Sequence, residues 1–275
     1  MSKNYGKEVE IIDGKGYYSE QFLCRQASTS NLSVSRESIL DQIYLAVNLI
    51  EEMSPKGLDS SVLDVSTDVS GMPSQLKVRG FKDVAAVPES NNTAQALKEE
   101  IKAENWRVNL DMGLQKDFLK LSNKSIEKKV DVILFMDSNF GRFKSKKEQV
   151  ETLKKCQEFL SKDGILILDL SNPMERIRNI SLEPTWLEDE NYYHLNRESI
   201  DPYTFEYKTT HIEIPKEKGE KTSRTETGIL ITLPYLNELF EETNFTVKKI
   251  FGNYDQDSLT PQSPRMIVIA KKGDC

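Results

Sequence analysis

The sequence predicts an α/β protein with a doubly wound, mostly parallel seven-stranded sheet and helices on both faces. Strand-like runs alternate with helical runs between residues 35 and 173, which is the order expected when helices connect parallel strands. Two runs, VDVILFM and GILILDL, are almost continuously apolar, as is typical of central strands covered on both sides. After residue 173 the pattern changes and predicts an inserted antiparallel β layer.

The core elements follow one another in a regular order. An amphipathic helix is predicted over residues 35–53, with Ser35 as its N-cap and with Pro55 and Gly57 ending it. Strands are then predicted over residues 61–65, 83–87, 106–110, 130–136 and 164–170. Helical patterns lie between them over residues 72–78, 92–104 and 146–160.

Polar and apolar residues alternate between residues 192 and 232, which predicts antiparallel hairpins with one face in water. Turn signals at Asp201-Pro202 and in KEKGEK separate these runs. A helix over 234–243 then precedes FTVKKIFGNY and RMIVIAKK, which predict closure of the large sheet with an antiparallel last strand. We divide the chain into an N-terminal arm (1–34), an α/β core (35–173 and 233–275) and an inserted β lid (174–232).

Composition excludes several classes of function. The chain has 44 acidic and 37 basic residues and a net charge of −7, so we do not expect nucleic acid as a partner. Cys24, Cys156 and Cys275 lie far apart without metal-ligand spacing, so we expect free thiols and no metal site. The start MSKNYGKEVE is too charged for a signal peptide, and no apolar run is long enough to span a membrane. We expect a cytoplasmic protein without a membrane partner.

Four segments resemble those of class I, small-molecule methyltransferases that use S-adenosylmethionine (SAM). VLDV resembles the first strand of that family, and VDVILFMDSNFGRF resembles its fourth strand with the loop beyond. FLSKDGILILDLSNP resembles the fifth strand, and TLPYLNELFEETNFTVKKIFGNYD resembles the last helix and the strand after it. The segments occur in the family's order from about residue 35 to the end. The resemblance implies a Rossmann-like fold, SAM as cofactor and methyl transfer to a small molecule.

The family's first strand leads into a loop that reads Asp-x-Gly-x-Gly-x-Gly, and the aligned residues here are Asp64, Ser66, Asp68 and Ser70. Glycine lets backbone approach the methionine end of SAM because it has no Cβ atom. If the Asp68 carboxylate lay about 4 Å from the carboxylate of SAM, the repulsion between the two charges would cost about 4 kcal/mol of binding free energy at an effective dielectric of about 20. Asp68 has an alternative role as N-cap of the following helix.

The resemblance implies further cofactor contacts beyond the next two strands. Glu89 follows Pro88 at the end of the second strand and is the candidate for binding the ribose hydroxyls, with a solvated loop position as its alternative role. Either Asp111 or Asp117 aligns with the acid that contacts the adenine. Asp169, inside the fifth strand, resembles a position that is structural in the family.

Asp137, Ser138 and Asn139 follow the fourth strand and therefore face the cleft where a doubly wound sheet binds its ligands. Turn formation and helix capping are their alternative roles. Tyr17 and Tyr18 resemble N-terminal tyrosines that fold over the ligand in many members of the family. Packing of a loose arm is the alternative for these two aromatic side chains.

The inserted layer carries the candidates for catalysis and for acceptor binding. His194 and His211 are the only histidines of the chain, and either could accept a proton near neutral pH, although a surface position is the common alternative. Trp186, Tyr193 and Arg197 are candidates for substrate contact, with packing of the layer on the core as their alternative.

Two functions remain open after these observations. The first, which we favour slightly, is SAM-dependent methyl transfer to a small-molecule acceptor. The second is a degenerate methyltransferase-like protein that no longer binds SAM and serves as a scaffold, a regulatory partner or the binder of another ligand. This second function is supported by the replacement of the three loop glycines and by Pro88, which stands where the family has the acidic residue that binds the ribose. No motif for other chemistry is found. The lid is also open to a role as the surface of a homodimer or of a partner-protein complex.

Overall fold

The computed structural model of the protein describes residues 36–67, 72–88, 91–103, 108–109, 115–121, 128–181, 183–188 and 190–273. The α-helices are α1 Arg36–Met53, α2 Met72–Arg79, α3 Asn91–Ala103, α4 Lys146–Phe159, α5 Pro173–Asn179 and α6 Leu233–Glu242. The strands are β1 Ser61–Thr67, β2 Asp83–Pro88, β3 Val108–Asn109, β4 Val130–Phe135, β5 Leu160–Ser171, β6 Thr185–Glu188, β7 Tyr192–Ile200, β8 Glu206–Pro215, β9 Thr222–Ile229, β10 Phe245–Phe251 and β11 Arg265–Lys272. Single 3-10 turns cover Gly57–Asp59, Gln115–Lys120 and Asn139–Arg142.

The large sheet has the strand order β10-β11-β5-β4-β1-β2-β3. Strands β1 to β5 are parallel, whereas β11 runs antiparallel to both of its neighbours, β5 and β10. The predicted mixed sheet with an antiparallel last strand is therefore confirmed. The edge strand β3 has only two residues, so the described sheet consists of six longer strands and this short pairing with β2.

Helices cover both faces of the large sheet, as predicted. Successive residues of β4 enter two different apolar cores, Val132 on one face and Ile133 on the other. Helices α4 and α6 pack on the face of Ile133, whereas α1 and α2 pack on the face of Val132. All six residues of β4 are buried for this reason, which explains why its sequence is apolar almost without alternation.

Side-chain caps set the start of the helices that follow the site-forming strands. Ser145 and Glu148 form a capping box at α4, in which Ser145 Oγ accepts the Glu148 N–H at 3.1 Å. Asn172 Oδ1 accepts the Met174 N–H at 3.2 Å at the start of α5, directly after β5. Thr232 caps α6 in the same way. These caps satisfy helix N–H groups that have no partner within the helix.

Strand β5 begins at Leu160, before the predicted start at Gly164. Leu160 pairs with Val130 and Ile165 pairs with Val132, so the residues between Leu160 and Ile165 form an irregularity opposite β4. The helix before β5 ends at Phe159, and the chain therefore enters the sheet without an intervening loop. The sequence KDG in this stretch carries turn character, which accounts for the later predicted start.

The inserted layer is a separate antiparallel sheet with the order β6-β7-β8-β9. It stands between β5 and α6 in the chain, as predicted. The predicted turn at Asp201 is confirmed, because Asp201 Oδ1 accepts the N–H groups of Tyr203 at 2.8 Å and Thr204 at 2.9 Å. Strand β6 and helix α5 were not predicted. None of the described helices combines the length and the apolar character that a membrane crossing requires.

Candidate functional site

The carboxyl ends of β1 and β4 lie side by side, because Asp64 of β1 is in register with Leu134 of β4. Asp64 is fully buried there. The chain leaves β4 through two consecutive residues in the left-handed region, Asp137 with φ of 49° and Ser138 with φ of 60°. Residues other than glycine rarely adopt this region. Each such residue costs about 1–3 kcal/mol of folding free energy, which surrounding contacts must offset.

Contacts with β5 hold this turn. The Asp137 N–H donates to Asp169 Oδ2 at 2.8 Å, and the Ser138 N–H donates to the Asp169 carbonyl at 2.8 Å. Ser138 Oγ accepts the Ser171 N–H at 2.7 Å. Backbone and side-chain bonds thus fix the turn to the neighbouring strand, at the edge where open α/β sheets bind their ligands.

The carboxylate of Asp169 is itself held by Arg265 of β11. Arg265 Nη1 donates to Asp169 Oδ1 at 2.9 Å and to Asp169 Oδ2 at 2.8 Å. The Tyr254 hydroxyl donates to Asp169 Oδ2 at 2.8 Å. Burial lowers the pKa of Arg265, but Asp169, Tyr254 and Asp137 together outweigh burial and raise the pKa overall, so the guanidinium stays charged. Burial together with Asp169 raises the pKa of Tyr254 well above its usual value. The structural role implied for Asp169 therefore fits its contacts.

Asn139 is buried, and its side-chain amide donates to the Met136 carbonyl at 2.9 Å. This contact closes the turn, which is the alternative role considered for Asn139; its cofactor contact stays a prediction. Asp137 and Ser138 are half-buried. Gly141, further along the same turn, lies so close to the inserted sheet that a Cβ atom would stand 2.5 Å from the Ile229 carbonyl oxygen. The end of β9 therefore rests directly on the turn after β4.

Several predicted cofactor and substrate residues lie partly or wholly outside the described structure. Ser66 lies in β1 and Asp117 in the turn Gln115–Lys120, but their side chains are outside the description. The residues that lie wholly outside the described ranges are Tyr17, Tyr18, Asp68, Ser70, Glu89 and Asp111. The roles assigned to all of these residues stay predictions.

One face of the inserted sheet looks toward the turn after β4. Tyr207 of β8 is buried, and the Arg176 guanidinium of α5 lies 4.2 Å from the centre of its ring. Arg176 Nε also donates to Glu198 Oε1 at 2.5 Å. Burial raises the pKa of Tyr207, the charges of Arg176 and Arg142 lower it, and Asp137 adds to the rise. The sequence carries no local signal for Arg176, Glu198 or Tyr207, because the register of β7 and β8 brings Glu198 near Tyr207 and Arg176 reaches them from α5.

His194 and His211 come together on this same face. His194 is paired with Glu213 across the hairpin, and His211 with Asn196. The two imidazole rings are stacked with centres 5.7 Å apart, and Asn196 Oδ1 bonds to His211 Nδ1. Burial lowers the pKa of His211, although the charge of Glu213 opposes this change, so the imidazole is neutral near pH 7. A neutral imidazole can accept a proton or bind a metal ion.

Trp186, Tyr193 and Arg197 lie on the other face of the inserted sheet, because side chains alternate along a strand. Trp186 is 64% exposed and Tyr193 39% exposed, with ring centres 6.5 Å apart, and Arg197 is exposed as well. The structure therefore separates these three residues from the histidines. Their substrate contact stays a prediction, and packing on the core is not their role in the described structure.

No family model and no curated protein matches the sequence. Solved structures do match it. A SAM-dependent methyltransferase from Clostridium acetobutylicum aligns with a TM-score of 0.74 and 11% identity over 93% of this chain and 99% of its own. The CcbJ methyltransferase from Streptomyces caelestis aligns with a TM-score of 0.73 and 15% identity over 85% and 90%. The fold is that of class I methyltransferases.

A third structure with this methyltransferase fold is CalS10, an amino pentose methyltransferase from Micromonospora echinaspora solved with SAM bound. It aligns with a TM-score of 0.65 and 12% identity over 93% of this chain and 98% of its own. Each of the three alignments spans at least 85% of this chain and at least 90% of the other chain.

The charges at the carboxyl edge of this methyltransferase fold suit a cationic ligand. SAM carries a sulfonium and an ammonium group, and Asp64 and Asp137 place two carboxylates at this edge. The positive charge of the nearby Arg265 is balanced by Asp169. Hydrogen bonds of an ammonium group to a carboxylate are among the stronger ones in proteins. The half-buried Asp137 carboxylate therefore suits the ammonium group at the methionine end of SAM.

Proposed function

We propose that the protein is a SAM-dependent methyltransferase that acts on a small-molecule acceptor. The observation that carries the proposal is the turn Asp137–Ser138, held in a left-handed conformation at the carboxyl edge of a methyltransferase-like sheet. Strained backbone conformations cluster at functional sites, and this edge is where open α/β sheets bind ligands. The amino pentose methyltransferase among the similar structures supports a small molecule as acceptor. No described contact favours the degenerate alternative.

Each part of the site has a task in this reaction. SAM, when bound, supplies an electrophilic methyl group. The Asp137 carboxylate accepts hydrogen bonds from the ammonium end of the cofactor, and the turn after β4 fixes its position. Methyl transfer needs the acceptor atom and the methyl carbon in line and shielded from water. The face of the inserted sheet that carries Tyr207 covers the turn and orients the acceptor, with His194 or His211 as proton acceptors where the acceptor must lose one.

The finer architecture belongs to the same proposal. Residues 174–232 form a lid over the site, residues 1–34 form an arm that contributes Tyr17 and Tyr18, and β3 completes a seven-stranded sheet. The exposed face with Trp186 and Tyr193 is the surface through which a homodimer or a partner protein would bind. The charge and composition of the chain support a cytoplasmic location and a role without nucleic acid.

Thermal unfolding in the presence of SAM tests the proposal. A ligand that binds only the folded state raises the melting temperature by mass action. We expect a rise with SAM and with S-adenosylhomocysteine at tens of micromolar, and no rise with methionine or adenosine alone at the same concentration. Absence of any shift at millimolar SAM would favour the degenerate alternative.

A further inference from the structure

A group of three potential metal ligands lies on the inserted sheet, apart from the turn after β4. One nitrogen of His194, one nitrogen of His211 and one carboxylate oxygen of Glu213 lie within 4.8 Å of one another. His194 stands directly opposite Glu213 in the hairpin of β7 and β8, and His211 stands on the same face two residues along. The register of one hairpin therefore fixes all three positions.

The orientation of His211 suits a metal ligand. Asn196 Oδ1 takes the hydrogen bond of His211 Nδ1, so Nδ1 carries the proton and Nε2 presents its lone pair. Nε2 is buried and has no hydrogen-bond partner among the residues that the structure describes. Metal-binding histidines characteristically donate their second ring N–H to a carbonyl or carboxylate, which fixes tautomer and ring orientation. Asn196 plays that part here.

The distances suit a single ion. His211 Nε2 is 3.5 Å from Glu213 Oε1, and His194 Nδ1 is 3.8 Å from the same oxygen. Ligand atoms about 2.0–2.1 Å from a tetrahedral Zn²⁺ ion stand about 3.3 Å from one another. Small side-chain rotations would therefore bring all three atoms onto one ion. The separations of 3.5 and 3.8 Å between the imidazole nitrogens and Glu213 Oε1 are longer than those of good hydrogen bonds, so strong hydrogen bonds do not join these atoms.

The charges around the group also favour a cation. Glu213 brings a negative charge to the two stacked imidazoles, and both rings are largely buried. Arg224 of β9 is paired with His211 across the sheet, but its guanidinium lies 2.8 Å from the Glu226 carboxylate. That ion pair offsets the positive charge of Arg224.

We propose that His194, His211 and Glu213 bind one first-row divalent transition-metal ion, with zinc as the natural occupant. Two imidazoles and one carboxylate suit zinc, cobalt or nickel far better than magnesium or calcium, which prefer oxygen ligands. Three protein ligands leave at least one coordination position for water or for a donor atom of a bound small molecule. The ion joins β7 to β8 and fixes the lid face that looks toward the site. In this arrangement His194 and His211 are ligands rather than general bases.

Cobalt titration of the full, tag-free chain tests the proposal without any need for SAM. We expect one Co²⁺ ion to bind per chain with visible d–d absorption, and zinc to displace it. The chain has only two histidines, so any imidazole ligand of the bound cobalt belongs to this group. Glu213→Gln removes the anionic ligand with little change of shape, and we expect it to weaken zinc binding at least about tenfold in calorimetry. His211→Gln serves as a second variant at a partly exposed position.

A matched control is Glu217→Gln, which changes an exposed glutamate in the turn after β8 and should leave zinc affinity unchanged. Zinc should raise the melting temperature of the wild type and of Glu217→Gln more than that of Glu213→Gln, whose metal-free melting temperature shows that it folds. Equal zinc affinity of Glu213→Gln and wild type would overturn the proposal. A thiolate charge-transfer band in the cobalt spectrum, or no binding at submillimolar metal, would do the same. All of these readouts are made without SAM, so failure of the metal site is distinguishable from failure of methyl transfer.

Discussion

Arg265 of β11 and Asp169 of β5 form an ion pair directly beneath the turn that follows β4. The guanidinium nitrogen lies 2.9 and 2.8 Å from the two carboxylate oxygens, and the Asp169 side chain is only 1% exposed. The same carboxylate accepts the Asp137 N–H, so three segments of the chain meet in one group. This pair links the antiparallel last strand to the turn at the carboxyl end of β4.

Replacing Arg265 with Met leaves the Asp169 carboxylate buried without its cation. Removal of one partner from a buried pair costs about 3–5 kcal/mol, so we expect a large fall in the urea midpoint. Lys271→Met is the matched control, because Lys271 lies in the same strand and pairs with the exposed Asp163. Its midpoint should stay close to that of the wild type. Equal effects of the two substitutions would show that the Arg265 pair does not hold the fold together.

Gly141→Ala tests the contact between the inserted sheet and the turn after β4. The added methyl group would stand 2.5 Å from the Ile229 carbonyl, so β9 or the turn must move. We expect a loss of about 1–3 kcal/mol of stability and weaker SAM binding. Gly57→Asn is the control, because Gly57 also has a positive φ of 53° but nothing lies near its missing Cβ. A Gly141→Ala protein with unchanged stability and SAM affinity would mean that β9 and the turn can separate freely.

Asp131, at the start of β4, gives the protein a pH-dependent contribution to stability. Burial raises the pKa of Asp131, but hydrogen bonds from Lys56, Ser61 and Ser161 outweigh burial and lower it overall. A lowered folded pKa stabilises the protein above the unfolded value of about 4, and this stability is lost as pH falls below it. Asp131→Asn should therefore lose stability at neutral pH, and its difference in stability from the wild type should narrow as pH falls below about 4.

Urea unfolding of wild type, Asp131→Asn and the exposed control Asp255→Asn across this pH range measures the effect. The curve of Asp255→Asn should run parallel to that of the wild type. A gap between Asp131→Asn and wild type that does not narrow on acidification would contradict the assignment.

Tyr207→Phe removes one hydroxyl from the face of the inserted sheet that looks toward the turn after β4. It keeps the aromatic ring that stacks on the Arg176 guanidinium. If this hydroxyl positions the acceptor, kcat/KM should fall about tenfold, the equivalent of one hydrogen bond, while the melting temperature stays nearly constant. Tyr203→Phe is the control, since Tyr203 is 92% exposed. Unchanged kinetics in Tyr207→Phe would remove Tyr207 from the acceptor site.

The sequence predicted the strands whose burial is reflected in their own pattern of apolar and polar residues. Strand β4 is apolar at successive positions because both of its faces are covered, and β7 to β9 alternate because one face is wet. Strand β6 was not predicted because its four residues are too few to display a period.

Contacts between distant residues were beyond reach of a single sequence. Arg265 and Asp169 are 96 residues apart, and nothing local marks them as partners. Glu213 joins the two histidines only through the register of a hairpin, which the alternating pattern of β7 and β8 does not fix. Spacing along the chain therefore indicated no metal site. The predicted roles of Asp68, Ser70 and Glu89 stay predictions, since these residues lie outside the described ranges.

Calorimetric titration of SAM into wild type and Asp137→Asn tests most directly whether the turn after β4 binds the cofactor. Asparagine adopts the left-handed region readily, so the turn should keep its shape while the carboxylate charge is lost. A charged hydrogen bond is worth about 1.5–3 kcal/mol, so we expect micromolar binding to the wild type and affinity at least about tenfold weaker in the variant. Asp255→Asn should bind like the wild type. No heat of binding at millimolar SAM, or equal affinity of Asp137→Asn and wild type, would contradict this account.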